Sequence, residues 1–250
     1  MTKNPESKWF GTKQVEEDEK TRLVRGVFDS VAPRYDLMND LMSGGVHRLW
    51  KDRLIRAIRP RTGLHYLDVA GGTGDIAFRI RKKVGPDCRI TLCDLDEAML
   101  SVGRDRAIDR GWLDDFDWVT GNAETLPLPD QSVDVYTISF GLRNVTRIDT
   151  ALAEAMRVLK PGGRFFCLEF SHVEEPFLAK LYDRYSYHII PHIGERIAKD
   201  RDSYQYLVES IRRFPSQRQF LKRMEQAGLT LCRYTDLSFG IAAIHQGVKA

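Results

Sequence analysis

Three glycines in four residues, Gly71-Gly72-Thr73-Gly74, separate the apolar run Leu64–Ala70 from the helical pattern Ile76–Lys83. A strand that meets a glycine turn and continues as a helix is the opening unit of an open α/β sheet, where the missing Cβ atoms let a ligand approach the backbone. The chain beyond keeps that rhythm. Strands are predicted over Arg89–Asp94, Phe116–Thr120, Ser132–Phe140 and Arg164–Phe170, and helices over Glu97–Arg110 and Ile148–Leu159. Lys160-Pro161-Gly162-Gly163 reads as a turn that closes the second of these helices. Alternation at this spacing implies right-handed crossovers and a mostly parallel sheet. Leu229–Tyr234 and Gly240–Val248 lie too close together for a crossover and predict a terminal antiparallel hairpin.

Two stretches break the rhythm. In residues 1–60, Val24, Val27, Phe28 and Val31 recur at helical spacing up to Pro33. Leu37, Met38, Leu41 and Met42 give a second helical face before Gly44-Gly45, and Trp50, Leu54 and Ile58 a third ending near Pro60. The expectation is a helical cap with no strand. Residues 171–228 read as a helical insertion rich in tyrosine, among them Tyr182, Tyr185, Tyr187, Tyr204 and Tyr206. With 250 residues, 42% of them hydrophobic, the chain can bury one sizeable core. We expect one domain over 1–250, with the sheet drawn from 61–170 and 229–250.

Composition excludes several classes. A net charge of +3 is small for a nucleic-acid binder. Cys88, Cys93, Cys167 and Cys232 form no C-x-x-C pair, which predicts reduced thiols, a cytoplasmic protein and no metal centre. The N-terminus lacks the pattern of a signal peptide, and no apolar run approaches the roughly 20 residues that cross a bilayer. Membrane contact is therefore expected only at the periphery.

The glycine turn marks a cofactor site, and Gly72 to Ala77 also satisfies G-x-G-x-x-A, a dinucleotide pattern. Asp94, ending the next strand, suits ribose hydroxyls in either case. Asp75 discriminates. It sits in the first helical turn, where a dinucleotide places its pyrophosphate, and a carboxylate there repels a diphosphate. Asp68 adds a second negative charge, so a cationic sulfonium cofactor, S-adenosylmethionine, fits better. Asn122-Ala123 could face adenine, and Ser139 completes the carboxyl-end rim.

Tyr35-Asp36-Leu37-Met38-Asn39, Met42-Ser43 and His47-Arg48-Leu49-Trp50 together resemble the first signature of the ubiquinone/menaquinone biosynthesis C-methyltransferase family. Arg157 to Gly163, continuing to Leu168-Glu169-Phe170-Ser171, resembles its second. Leu67 to Asp75 and Ile138 to Thr146 are similar to it as well, so the likeness runs from about Phe10 to the C-terminus. The resemblance implies a class I methyltransferase (Rossmann-like) seven-stranded sheet. It also implies methyl transfer from S-adenosylmethionine to a ring carbon of a polyprenylated benzoquinol or demethylmenaquinol. By position, Thr73, Asp94, Asn122, Ala123 and Ser139 match the family's cofactor contacts; the glycine turn and its preceding strand add Asp68, Gly72 and Gly74 as expected cofactor-binding residues. Ala70 stands where many methyltransferases have glycine.

Arg143, just past the fourth strand beside Asn144, is expected to stabilise a substrate phenolate, with a water held by Arg143 and Asn144 taking the proton. Pairing of Arg143 with a carboxylate such as Asp134 or Asp36 is the alternative. His47 and His172 are other candidate bases. Tyr35, Asn39, Met42, His47 and Trp50 are expected at the substrate pocket or its lid. In the insertion, Phe177, Leu181, Tyr185, Ile189 and Ile190 could line a prenyl groove. Arg212, Arg213, Arg218, Lys222 and Arg223 then either face anionic lipid or form an ordinary solvated face. The expected partner is a lipid-soluble quinol, with a quinone-biosynthesis complex or a homodimer open and no nucleic acid. Competing readings are an NAD-type oxidoreductase and a non-catalytic cofactor-binding scaffold.

Overall fold

A computed structural model of the chain describes residues 45–173 and 201–250, together with scattered positions between 9 and 43. Seven strands form one sheet: β1 His65–Val69, β2 Arg89–Asp94, β3 Phe116–Thr120, β4 Val133–Ser139, β5 Leu159–Phe170, β6 Leu229–Leu237 and β7 Ala242–Lys249. Their order is β3-β2-β1-β4-β5-β7-β6. The first five are parallel, and β7 runs antiparallel to both β5 and β6. Connections run outward from β1 in one direction and from β4 in the other. The carboxyl ends of β1 and β4 therefore flank the topological switch point, where open α/β sheets bind ligands.

The helices follow from local chemistry. Helix α1 spans His47–Ile58, α2 Asp75–Val84, α3 Glu97–Ile108, α4 Ile148–Val158, α5 Arg201–Arg213 and α6 Gln217–Gln226. Asp96 caps α3 by accepting from the Ala98 and Met99 N–H groups, and Ser216 with Gln219 forms a capping box on α6. Every residue of β1 is buried, as a central strand covered on both faces requires. On β5, Phe166, Leu168 and Phe170 join the core shared with α1, α2 and α3, while Phe165 and Cys167 join the core shared with α4 and α6. That alternation is the period of two that the sequence displays.

Three expectations change. The N-terminal stretch is not strand-free: Trp9–Phe10 pairs antiparallel with Lys13–Gln14. Two-residue strands, one of them polar, carry no alternation to read. Second, Lys160–Gly163 does not separate helix from strand. β5 already pairs at Leu159↔Val133, and the four turn residues loop out before pairing resumes at Arg164↔Val135. Third, the terminal hairpin is longer than expected and joined by a 3₁₀ turn, Ser238–Gly240. Most of the cap expected over 27–44 and the groove residues Phe177, Leu181, Tyr185, Ile189 and Ile190 lie outside the described residues, as do Tyr182 and Tyr187.

Ala70, after β1, has a left-handed φ of 50°, and its methyl group faces Gly141 after β4. A Cβ at position 141 would overlap that methyl, although the Gly141 φ of −113° suits any residue. Gly141→Ala should therefore destabilise the fold by about 1–3 kcal/mol through overpacking. Ala70→Gly removes both the obstructing methyl and the left-handed strain, so the double variant should recover most of the loss in a urea midpoint. A double variant as unstable as Gly141→Ala alone would refute the contact.

Candidate active site

A cleft opens at the switch point with about 840 Å³ of empty space, part of it open to solvent, and a smaller hollow of about 370 Å³, also partly open, adjoins it. Ala70, Gly72 and Phe140 line both, so the two form one elongated site. The large part is walled by Asp94, Leu95 and Met99 after β2 and by Gly121, Asn122 and Ala123 after β3. The small part is walled by Asp68, Thr73, Ser139, Lys51 and Asp75.

The glycine turn shapes the junction. Gly74 is the N-cap of α2 with φ 86°, and a Cβ there would lie 2.9 Å from the Phe78 ring. Thr73 is buried and its hydroxyl accepts from Arg106 Nη1 at 3.0 Å. Asp94 accepts from the Gly72 N–H at 2.7 Å and from the Asp96 N–H at 2.9 Å. These bonds fix the turn against β2, while burial pushes the Asp94 carboxyl up to about 6. Asn122 Oδ1 accepts from the Glu124 N–H at 2.9 Å, which folds the loop so that Asn122 and Ala123 face the cleft.

Asp68 is 1% exposed. Its Oδ1 accepts from the Thr137 hydroxyl at 2.7 Å, but Oδ2 is buried with no hydrogen-bond partner within range among the described residues. Burial, and after it the carboxylates of Asp75 and Asp94, push Asp68 up to about 7 against the hydrogen bond from Thr137 and the influence of the nearby Ala77 N–H. Ser139 Oγ, at the same hollow, is a second buried polar atom without a partner. Unsatisfied buried polar atoms are costly, and a ligand seated in this hollow would satisfy both. An adenosine in the large part and an ammonium beside Asp68 match these features.

Several expected roles change. Asp75 does not carry a free charge: Lys51 Nζ donates to Oδ2 and Arg79 Nε to Oδ1, both at 2.7 Å. Repulsion of a diphosphate by Asp75 is thus largely cancelled, because a cation separated by 24 residues of sequence was not foreseen. Arg143 lines neither part of the site. Its Nη1 donates to Glu169 Oε1 at 2.8 Å and to the Phe140 carbonyl, and its side chain is 1% exposed. Its partner is neither Asp134, which binds Lys160, nor Asp36, which lies outside the described residues. Asn144 does line the cleft, with its Oδ1 accepting from the Tyr206 hydroxyl at 3.1 Å.

His47 is buried against Asp40 at 2.8 Å and its pKa is lowered, first by burial and then by Lys51. Trp50 donates to Ser238 Oγ at 2.9 Å and stacks edge-on to Phe170 in the core. His172 bonds the Phe214 carbonyl at 2.7 Å. None of these three lines the site. Tyr35, Asn39 and Met42 lie outside the described residues. Lys51, at the small hollow, and Glu169, bonded to Arg143, were not expected at the site: the first stands one residue past the matched signature, the second inside a matched segment that assigns it no role.

The sheet order and the β1–α2 corner define a class I S-adenosylmethionine-dependent methyltransferase fold. A methyltransferase of that kind from Aquifex aeolicus superposes with a TM-score of 0.59 at 18% identity, covering 80% of this chain and 89% of that one. Residues 13–249 match the ubiE/COQ5 methyltransferase family, and the chain belongs to that family. It is 59% identical over 242 residues to the ubiquinone/menaquinone biosynthesis C-methyltransferase of Methylobacterium nodulans, covering 96% of each chain. Against the enzyme of the same name from Paracoccus denitrificans it is 56% identical over 245 residues, 98% of each. Fold, family and S-adenosylmethionine dependence agree with the expectations above.

Asp68 sets a pH-dependent balance. Its folded value of about 7 lies above the ordinary 3.8, so the native state binds this proton more tightly than the unfolded chain. Stability then falls as pH rises from about 4 to 7, and the penalty is complete above 7, at most on the order of 4 kcal/mol. Asp68→Asn should be more stable than the parent at pH 8 in urea denaturation, with the gap closing near pH 4, while its affinity for S-adenosylmethionine drops. Equal midpoints at pH 8 would show that Asp68 carries no such penalty.

Proposed function

We infer that the protein transfers a methyl group to a ring carbon of a prenylated quinol. The observation that carries this is one continuous site whose small end holds an unsatisfied buried carboxylate and whose large end is walled by Asp94, Asn122 and Ala123. When bound, S-adenosylmethionine supplies an electrophilic methyl on a sulfonium. Asp68, Gly72, Thr73, Gly74, Asp94, Asn122, Ala123 and Ser139 are the residues proposed to hold it.

A ring carbon attacks in line when its neighbouring hydroxyl approaches phenolate character. Ionising a phenol of pKa near 10 at pH 7 costs about 4 kcal/mol. Asn144 is the residue proposed to lower that figure. The Tyr206 hydroxyl occupies its Oδ1, which leaves the carboxamide NH₂ as the donor for an oxyanion. Arg143 with Glu169 is a net neutral pair and contributes little field at the cleft. Its role is positioning: it fixes the Phe140 carbonyl and the backbone that presents Asn144.

A prenylated substrate partitions into lipid, so the reaction calls for contact at the membrane periphery. Among the described residues, no helix is long and apolar enough to cross a membrane. Arg218 and Lys222 are exposed on α6 and are the cations proposed to meet headgroups.

Incubation of the purified chain with methyl-labelled S-adenosylmethionine and either a prenylated benzoquinol or a demethylated naphthoquinol should place label on a ring carbon. Tight cofactor binding with no transfer to either acceptor would favour the scaffold reading instead.

Arg143→Ala should lose about 3–5 kcal/mol of stability, since it strands the Glu169 carboxylate in the core. Arg143→Met with Glu169→Leu should regain most of that loss, yet keep a depressed kcat with an unchanged KM for the cofactor. Full kcat in this double variant would exclude a positioning role.

A further inference from the structure

Lys51 is a full charge held in the interior. Its side chain is 5% exposed, and its ammonium reaches across from α1 to the start of α2, where Nζ meets Asp75 Oδ2 at 2.7 Å. Among the described residues that is its one hydrogen bond, so two of its three N–H groups have no protein acceptor. Asp75 does not draw on Lys51 alone: Lys51 and Arg79 share its neutralisation. Arg79 lies one turn along the same helix at 2.7 Å and is anchored in turn by Asp52. Among the described residues this buried ammonium has one hydrogen-bond partner, which a second cation also serves, so the ion pair by itself leaves the desolvation of Lys51 poorly explained.

The surroundings indicate what the spare donors could meet. Lys51 shares the small hollow with Asp68 and Ser139, whose Oδ2 and Oγ are buried without partners among the described residues. The hollow also opens on the first turn of α2, a ten-residue helix whose N-terminus favours an anion. Buried groups of both signs therefore line one small space. A ligand that satisfies them together carries both charges close to one another, as an α-amino acid does. Without Lys51 the hollow would hold only the carboxylates of Asp68 and Asp75 and would repel the carboxylate half of such a ligand.

We propose that Lys51 binds the α-carboxylate of the cofactor's amino-acid end, drawing it between the ammonium and the first turn of α2 while Asp68 takes the amine. The proposal rests on the assignment of the small hollow to that end of the cofactor. Lys51 keeps its bond to Asp75 and adds the ligand carboxylate through its remaining donors. Ser139 supplies a hydroxyl to whichever half lies nearer.

Calorimetry at pH 8 with three ligands separates the contributions. S-adenosylhomocysteine carries amine and carboxylate, its decarboxylated analogue only the amine, and methylthioadenosine neither. Lys51→Met, and Lys51→Gln as a variant that retains a donor for Asp75, should weaken S-adenosylhomocysteine about tenfold or more. Both should leave the other two ligands within about twofold of the parent, and retained methylthioadenosine binding reports an intact fold. An unchanged affinity for S-adenosylhomocysteine, or an equal loss across all three ligands, overturns the proposal. Asp68→Asn should weaken the first two ligands and spare the third. If it spares all three while the Lys51 variants lose selectively, the placement of the amine beside Asp68 fails and the carboxylate contact stands.

Discussion

The buried ion pair between Glu169 and Arg143 holds the carboxyl rim of the sheet together. Glu169 Oε1 accepts from Arg143 Nη1 at 2.8 Å and from the Phe170 N–H at 2.9 Å, and its Oε2 accepts from the Arg143 N–H at 3.2 Å. One carboxylate at the end of β5 thereby organises the segment that follows β4. The same guanidinium reaches the carbonyl of Phe140, a bulky residue at φ 56°. Such a conformation costs on the order of 1–3 kcal/mol and persists only where its surroundings over-determine it. The Phe140 N–H on the Leu168 carbonyl and its ring against Trp50 and Phe170 supply the other constraints. Phe140 lines both parts of the site, so the strain is held where the ligand must be gripped.

Beside that clamp the site carries electrostatic tension. Asp68 and Asp94 are both desolvated, and both carboxyls rise well above the ordinary range. A cation placed beside Asp68 favours its charged form and relieves the tension. Stability and affinity therefore pull in opposite directions at this residue. Asp75 shows the contrast. Flanked by Lys51 and Arg79, its carboxyl is held below the ordinary range despite burial. Two carboxylates seven residues apart at one corner shift in opposite directions because one is bonded to two cations and the other, among the described residues, to none.

Much of this was legible in the sequence, and the misses have physical causes. β2 and β3 fall on the expected boundaries because apolar runs end sharply at Asp94 and Gly121. The glycine turn, Asp94, Asn122-Ala123 and Ser139 converge on one rim because alternation of strands and helices dictates where strand ends meet. Position along a strand says which residue stands at the rim, but not where a long side chain points. Arg143 was placed correctly on the chain and turns inward, because Glu169 offers it a buried partner. Trp50, in a signature stretch, packs α1 against β5 and the terminal hairpin, while His47 in the same stretch is held by Asp40. Lys51 shows no local signal, since a lysine on an amphipathic helix reads as solvated unless its partner across the fold is known.

Preference for a sulfonium cofactor over a dinucleotide thus shifts from one carboxylate to another. With Asp75 neutralised, the first turn of α2 is no longer hostile to phosphate on charge alone, and glycine geometry does not separate the two ligands. Asp68 does. Its unpartnered oxygen lies in the hollow next to the turn, and a diphosphate brought there would force the carboxyl to stay protonated or suffer repulsion in a low-dielectric space. A cation reverses the sign of that interaction. The discriminating charge is therefore the one that stays unsatisfied in the protein, and the compensated charge at the helix start serves as scaffold for Lys51.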